Sequence, residues 1–173
     1  MAVWELAGKA PRIHRDAFVH PAATVIGAVT IGAGSSIWPG AVLRADFGEI
    51  VIGSGASIQD GSVLHCIRAR PTVVGDGTIV GHLVHLEGCD VGSDCLIGSG
   101  SVVLNRAVIE DEAAVAAQAL VTEGLCVPRG HIAVGVPARI KPADWVGDLV
   151  RAGSAEYMEM ARTFASSARL IEA

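Results

Sequence analysis

Three features of this chain predict an all-β solenoid. Aliphatic residues return at every sixth position, glycine is abundant at 21 residues, and aromatic residues make up only 4% of a sequence that is 51% hydrophobic. A core built from Val, Ile, Leu and Ala suits a narrow interior filled by one aliphatic side chain per rung, and suits a sandwich with large inward aromatics poorly.

The repeat runs through Val19, Val25, Ile31, Ile37 and Leu43, resumes at Ile52, Ile58 and Leu64, and again at Val74, Val80 and Leu86. It continues through Val91, Ile97, Val103, Ile109, Val115 and Val121. Glycine often follows the aliphatic residue, as at Gly32, Gly53, Gly75, Gly92 and Gly98. A period of six matches neither a helix nor an alternating strand. It matches a left-handed parallel β-helix of hexapeptide repeats, in which each hexad is a short strand on one face of a triangular prism. Successive coils then stack at sheet spacing, about 4.8 Å. Excursions are expected at residues 46–50 and 67–72, and a one-residue deletion between Leu86 and Val91.

The repeat is expected to end near Pro128, within a β-helix domain covering residues 1–136. Residues 137–173 then form a C-terminal α-helical segment. Pro142 is placed to open a short helix, and Gly153-Ser154 to end it and cap the next. Tyr157, Ala161, Phe164, Ala168 and Ile171 fall at helical spacing and predict an apolar stripe packed on the prism.

A net charge of −5 excludes the basic stripe that a nucleic-acid surface needs. No apolar run approaches a membrane span, and the first residues carry charges where a signal peptide needs its apolar stretch. A cytoplasmic location is the expectation. Cys66, Cys89, Cys95 and Cys126 show no CxxC spacing and read as reduced thiols packed as small hydrophobes. His14, His20 and His131 have no evident partners and read as surface histidines.

The phase of the repeat predicts positions in space. Leu43, Leu64 and Leu86 share one face in consecutive coils, so the residues after them, Arg44, His65 and Glu87, stack as one outward column. Ile58 and Val80 stack on the preceding face, and two places on, Asp60 and His82 form a second column with Gln59 alongside. His65 and Glu87 lie one coil spacing apart, near enough to share a metal or a hydrogen bond. A solvated salt-bridge ladder has the same spacing and a favourable charge order.

The stretches Ala-Val-Leu-Arg-Ala-Asp (41–46), Ser-Ile-Gln-Asp-Gly-Ser-Val-Leu-His (57–65) and Val-Gly-His (80–82) resemble the gamma-class carbonic anhydrases and their bacterial homologues. The resemblance extends over nearly the whole chain. It implies a homotrimer with a divalent metal, zinc or iron(II), held between protomers by His65 from one and His82 from the next. It further implies that Arg44 and Asp46 form ion pairs ordering the interface, and that Gln59 with Asp60 positions the reacting water. The third ligand of that family is a histidine five residues after the one matching His82; here that position is Glu87. Glu87 lies in the His65 column and is the preferred third ligand, with His85 as the alternative. The family's Asn before Ile-Gln-Asp is Ser57. The acidic loop of some members has no counterpart, because residues 67–72 are few and carry Arg68 and Arg70.

Three functions follow as expectations for a small-molecule substrate. The first is a carbonic anhydrase-like lyase hydrating carbon dioxide, weakened by Glu87. The second is a repurposed relative acting on another metabolite, or a non-catalytic one. The third is a hexapeptide-repeat acyltransferase using a cleft histidine as base.

Overall fold

In the computed structural model, which describes residues 2–68 and 70–171, the chain winds as a left-handed parallel β-solenoid of about seven turns, followed by one helix. The hexad phase produces three interior columns. Val25, Leu43, Leu64, Leu86, Val103 and Val121 pair in register along one face, and Ile31, Ile52, Val74, Val91, Ile109 and Val127 along the next. Val19, Ile37, Ile58, Val80, Ile97, Val115 and Ala133 line the third. Nearly every member of these columns is fully buried, so one aliphatic side chain per rung fills the interior.

The solenoid runs further than expected. His131–Val134 pairs parallel with Ala114–Val115 and adds a rung beyond Pro128. The phase continues from Val127 to Ala133, where a small alanine is the inward residue and gives little periodic signal. Pro142 does not open a helix. It ends the strand Arg139–Pro142, which pairs antiparallel with His131–Val134 and closes the last coil.

The excursion at residues 46–50 lies inside one continuous strand, Val42–Ile52, which passes from one face to the next alongside Thr24–Ile31. The register between these two strands shifts between Gly27 and Val29. Gly27 has φ +77°, and a Cβ there would sit 2.4 Å from the carbonyl oxygen of Ala45, so this corner requires glycine. The second excursion is a tight turn closed by Ile67 and Arg70, whose backbone N–H groups each donate to the other's carbonyl at 3.2 and 3.0 Å.

Residues 146–167 form a single helix, Val146–Ser167, rather than two. Gly153 and Ser154 read locally as a stop and a cap, but packing overrides both. A Cβ on Gly153 would meet Ile79 Cδ1 at 3.0 Å, so glycine admits the helix to the sheet. The Ser154 hydroxyl donates to the carbonyl of Arg151 at 3.3 Å within the helix. The packed stripe begins earlier than expected, with Val146 and Val150 against Ala114 and Ile79, and continues through Tyr157 and Ala161 to Phe164. Phe164 meets Trp38 edge-on at 5.3 Å. Ala168 caps the helix, and Ile171 lies beyond it in solvent. Arg151 ties the helix to the prism through Asp94 at 3.3 Å and Glu112 at 3.1 Å. No helix among the described residues is long and apolar enough to cross a membrane.

Cys66, Cys89 and Cys95 are buried free thiols, whereas Cys126 is exposed rather than packed. Burial pushes Cys89 up to about 12 and Cys95 up to about 11, which makes both poor nucleophiles. His20 packs against Phe18 and Phe164 at 6.2 and 6.4 Å and so joins the aromatic contact under the helix.

Because each rung rests on its neighbours through one inward side chain, a cavity in the middle of the stack should be felt globally. Ile109→Ala, on the face that carries neither polar column, should lower the unfolding free energy by about 2–5 kcal/mol in chemical denaturation. A loss below about 0.5 kcal/mol, the scale of a surface change, would show that this rung carries no packing energy.

Candidate functional site

The in-register pairing Leu43–Leu64–Leu86 turns the next residue of each strand outward, and Arg44, His65 and Glu87 stack as one column. Asp46, two residues along the continuous strand, points outward again and joins them. His65 lies between two carboxylates: its Nε2 is 2.7 Å from Asp46 Oδ1, and its Nδ1 is 3.0 Å from Glu87 Oε1. The ring is 11% exposed. Arg44 forms an ion pair with Asp46 on the outer side. The Thr72 hydroxyl donates to the carbonyl of His65 and accepts from the N–H of Gly88 at 2.8 Å, which ties the strand of His65 to the chain after Glu87.

Burial raises the pKa of Asp46, but the hydrogen bond to His65 and the charge of Arg44 outweigh it and leave the carboxyl below its ordinary value. The hydrogen bond from His65 likewise holds Glu87 low, against the opposing effect of burial and with help from His85. His85 Nε2 lies 3.7 Å from Glu87 Oε2 and outside the His65 column, as its register predicts.

The second column also forms. Asp60 Oδ2 is 3.0 Å from His82 Nδ1, and the His82 side chain is 55% exposed. Asp60 therefore occupies Nδ1 and leaves Nε2 for another partner. Gln59 is 4% exposed. Ser57 does not face the column; its Oγ accepts from Trp38 Nε1 at 3.0 Å and fixes that ring beside Gln59.

Phe47 escaped the sequence reading. Its ring, on a residue 54% exposed, stands edge-on to His65 at 5.8 Å, and the Arg68 guanidinium lies 5.8 Å from its centroid. In a chain with so few aromatics, a Phe directly after the Arg-x-Asp stretch was the available signal.

The donor chemistry fits a divalent ion, but one chain does not complete the set. A neutral imidazole has one N–H and can donate to only one of the two carboxylates flanking His65; a second ring proton or a bound cation satisfies the other contact. His65 and Glu87 thus offer a nitrogen and an oxygen side by side. His82 offers a free Nε2 with its tautomer set by Asp60. Among the described residues of a single chain, no three His, Cys, Asp or Glu side chains converge as a metal site.

Comparison with known proteins agrees with this class of fold. The bacterial transferase hexapeptide family (six repeats) matches residues 10–45. Carnitine operon protein CaiE of Escherichia coli K12 is 41% identical over 139 residues, covering 80% of this chain and 71% of that protein. Gamma carbonic anhydrase 1, mitochondrial, of Arabidopsis thaliana is 39% identical over 137 residues, covering 76% of this chain; the match spans 50% of the plant protein's length. The crystal structure of a hexapeptide transferase family protein from Anaplasma phagocytophilum superposes with a TM-score of 0.90 at 33% identity, covering 94% and 98% of the two chains. The fold is thus that of the hexapeptide-repeat proteins. Within them, the chain belongs to the gamma carbonic anhydrase-like family.

The two lowered carboxylates give the column an acid dependence. Each contributes stability that is present in full above its unfolded pKa and is lost as pH falls through its lowered folded value. His65→Leu removes the hydrogen bond common to both. The difference in unfolding free energy between the metal-free wild type and this variant should therefore narrow as pH falls below the carboxylate range. A difference that stays constant across that range would mean that His65 does not couple to Asp46 and Glu87.

Proposed function

We propose that this chain acts as a homotrimer and as a gamma carbonic anhydrase-like lyase, hydrating carbon dioxide reversibly with the help of zinc or iron(II). The observation that carries the reading is the pairing of two half-sites on one chain: His65 in register with Glu87, and His82 with Nε2 left free by Asp60. His65 and Glu87 of one protomer would hold the ion with His82 of the next, since among the described residues of one chain no three donors converge. Two histidines and a carboxylate suit both metals.

When bound, such an ion supplies Lewis acidity that brings the ionisation of water into the neutral range. The surrounding residues orient. Asp46 and Asp60 accept from the ring nitrogens that face away from the ion and set each tautomer. Arg44 neutralises and positions Asp46. The Gln59 amide orients the attacking water. Glu87 would limit the rate, because an anionic ligand would offset one unit of a bound ion's charge and leave it a weaker Lewis acid than three neutral imidazoles would, so hydration should be weak.

The free Nε2 of His82 also favours a second reading, in which the His82–Asp60 pair serves as the base of an acyltransferase. Titration with acetyl coenzyme A separates the two, and absence of binding removes the second.

Elemental analysis of anaerobically purified protein should find stoichiometric zinc or iron. His65→Ala and His82→Ala should each abolish the metal, and heterotrimers mixed from the two variants should regain part of it, because each retains what the other lacks. Unchanged metal in either single variant, or a monomer by light scattering at micromolar concentration, overturns the shared site.

Glu87→His should raise zinc affinity and carbon dioxide hydration together, while His85→Ala changes neither. Loss of metal in His85→Ala, with metal retained in Glu87→Ala, would transfer the third ligand to His85.

A further inference from the structure

The side-chain amide of Gln59 makes no hydrogen bond with any described residue, although Gln59 is only 4% exposed. Its amide atoms are not among the buried, unpartnered ones of the described residues, so they reach the surface, where a ligand can match them. Gln59 lines a groove of about 260 Å³ between the prism and the helix, and Asp60 and His82 line it too. The same groove is walled by Trp38, Met160 and Phe164. Trp38 is pinned by two hydrogen bonds from Nε1, to Ser36 Oγ and Ser57 Oγ, each 3.0 Å, so its ring is a fixed wall. Phe164 stands perpendicular to it, at 89°, and Met160 is half exposed. With Tyr157 also in its lining, the groove joins the Gln59 amide to a wall of three rings and a thioether.

We propose that this groove binds the body of an organic substrate: a neutral carbonyl compound carrying a single planar ring. The inference rests on the reading of Gln59, Asp60 and His82 as site residues, and it enlarges the substrate beyond carbon dioxide. An apolar cavity of about 150 Å³ already admits benzene, whereas a three-atom molecule would leave the aromatic wall uncovered. The ring faces and the Met160 sulfur favour a planar aromatic partner. At the polar end, the Gln59 amide can donate to a carbonyl oxygen, while its own oxygen accepts from an N–H or O–H of the ligand. The Asp60 carboxylate beside them disfavours an anionic head.

Benzamide tests this on the full-length protein as purified, read by saturation transfer to its ring protons and by titration. Benzamide should bind, and benzoate should bind at least about tenfold more weakly. Gln59→Leu should weaken benzamide by about tenfold, on the scale of a lost buried hydrogen bond. Met160→Trp, at a half-exposed position that tolerates change, should fill the groove and abolish binding. No transfer to benzamide in the wild type, whether because the groove is inert or because a second copy covers it, overturns the proposal. So does binding undiminished in both variants, and benzoate binding as tightly as benzamide overturns the neutral head. Metal content on the same preparation keeps the two readings apart. Metal without benzamide binding removes the groove and leaves the lyase; benzamide binding by a chain that takes no metal supports the groove and removes the lyase.

Discussion

Parallel strands pair residue against residue, and in this molecule each pairing is locked by an inward aliphatic side chain resting on its counterpart one coil away. Slipping one strand by a single residue would drive Leu64 or Leu86 into solvent and pull His65 or Glu87 into a dry interior. The cost of that exchange makes the register rigid. Once Leu43, Leu64 and Leu86 are stacked, the positions of Arg44, His65 and Glu87 are no longer free. The polar column is a consequence of the apolar one.

That rigidity explains how a histidine can be held between two carboxylates on the flank of a solenoid. Asp46, His65 and Glu87 arise on successive rungs, and strand spacing brings their side chains within hydrogen-bonding reach. Arg44 offsets part of the negative charge, and Phe47 covers one edge of the ring. Two carboxylates kept below their ordinary pKa beside one imidazole form a site prepared for positive charge. The His82–Asp60 pair follows the same logic with one carboxylate and greater exposure, which leaves it open to a partner.

Much of this was legible in the sequence, because the inward position tolerates only aliphatic residues and so prints its period on the chain. The columns of Arg44, His65 and Glu87, and of Asp60 and His82, follow from that period by counting. The contact between Asp46 and His65 did not, because the phase break at residues 46–50 hides that the strand continues through it. The single C-terminal helix was equally hidden. Gly153-Ser154 is a stop signal by local propensity, and only the close approach of Ile79 shows why glycine is there. The added rung at Ala133 was missed because alanine fills an inward position without announcing it. Gln59 was legible as a site residue only through resemblance; its lack of a partner required knowing where the helix docks.

A prism with flat faces does not make a concave site by itself, and ligand sites are concave. The two polar columns solve this in different ways. The His82–Asp60 column gains a wall from the helix, whose Tyr157, Met160 and Phe164 rise beside it and form a groove within one chain. Among the described residues, the His65–Glu87 column has no such element over it apart from Phe47 and the short turn that carries Arg68. In the proposed trimer it contributes two of the three donors, and a second surface would supply the third. The outward residues in register beside this column, Val63, His85, Val102 and Leu120, are mostly aliphatic, although an outward position on a free solenoid is normally polar. In the proposed trimer, this apolar stripe would be buried against a different face of the neighbouring protomer, the one carrying His82, so that its burial would drive association while the polar column would set the register. The proposed sharing of donors and the excess of aliphatic surface would then have one physical explanation.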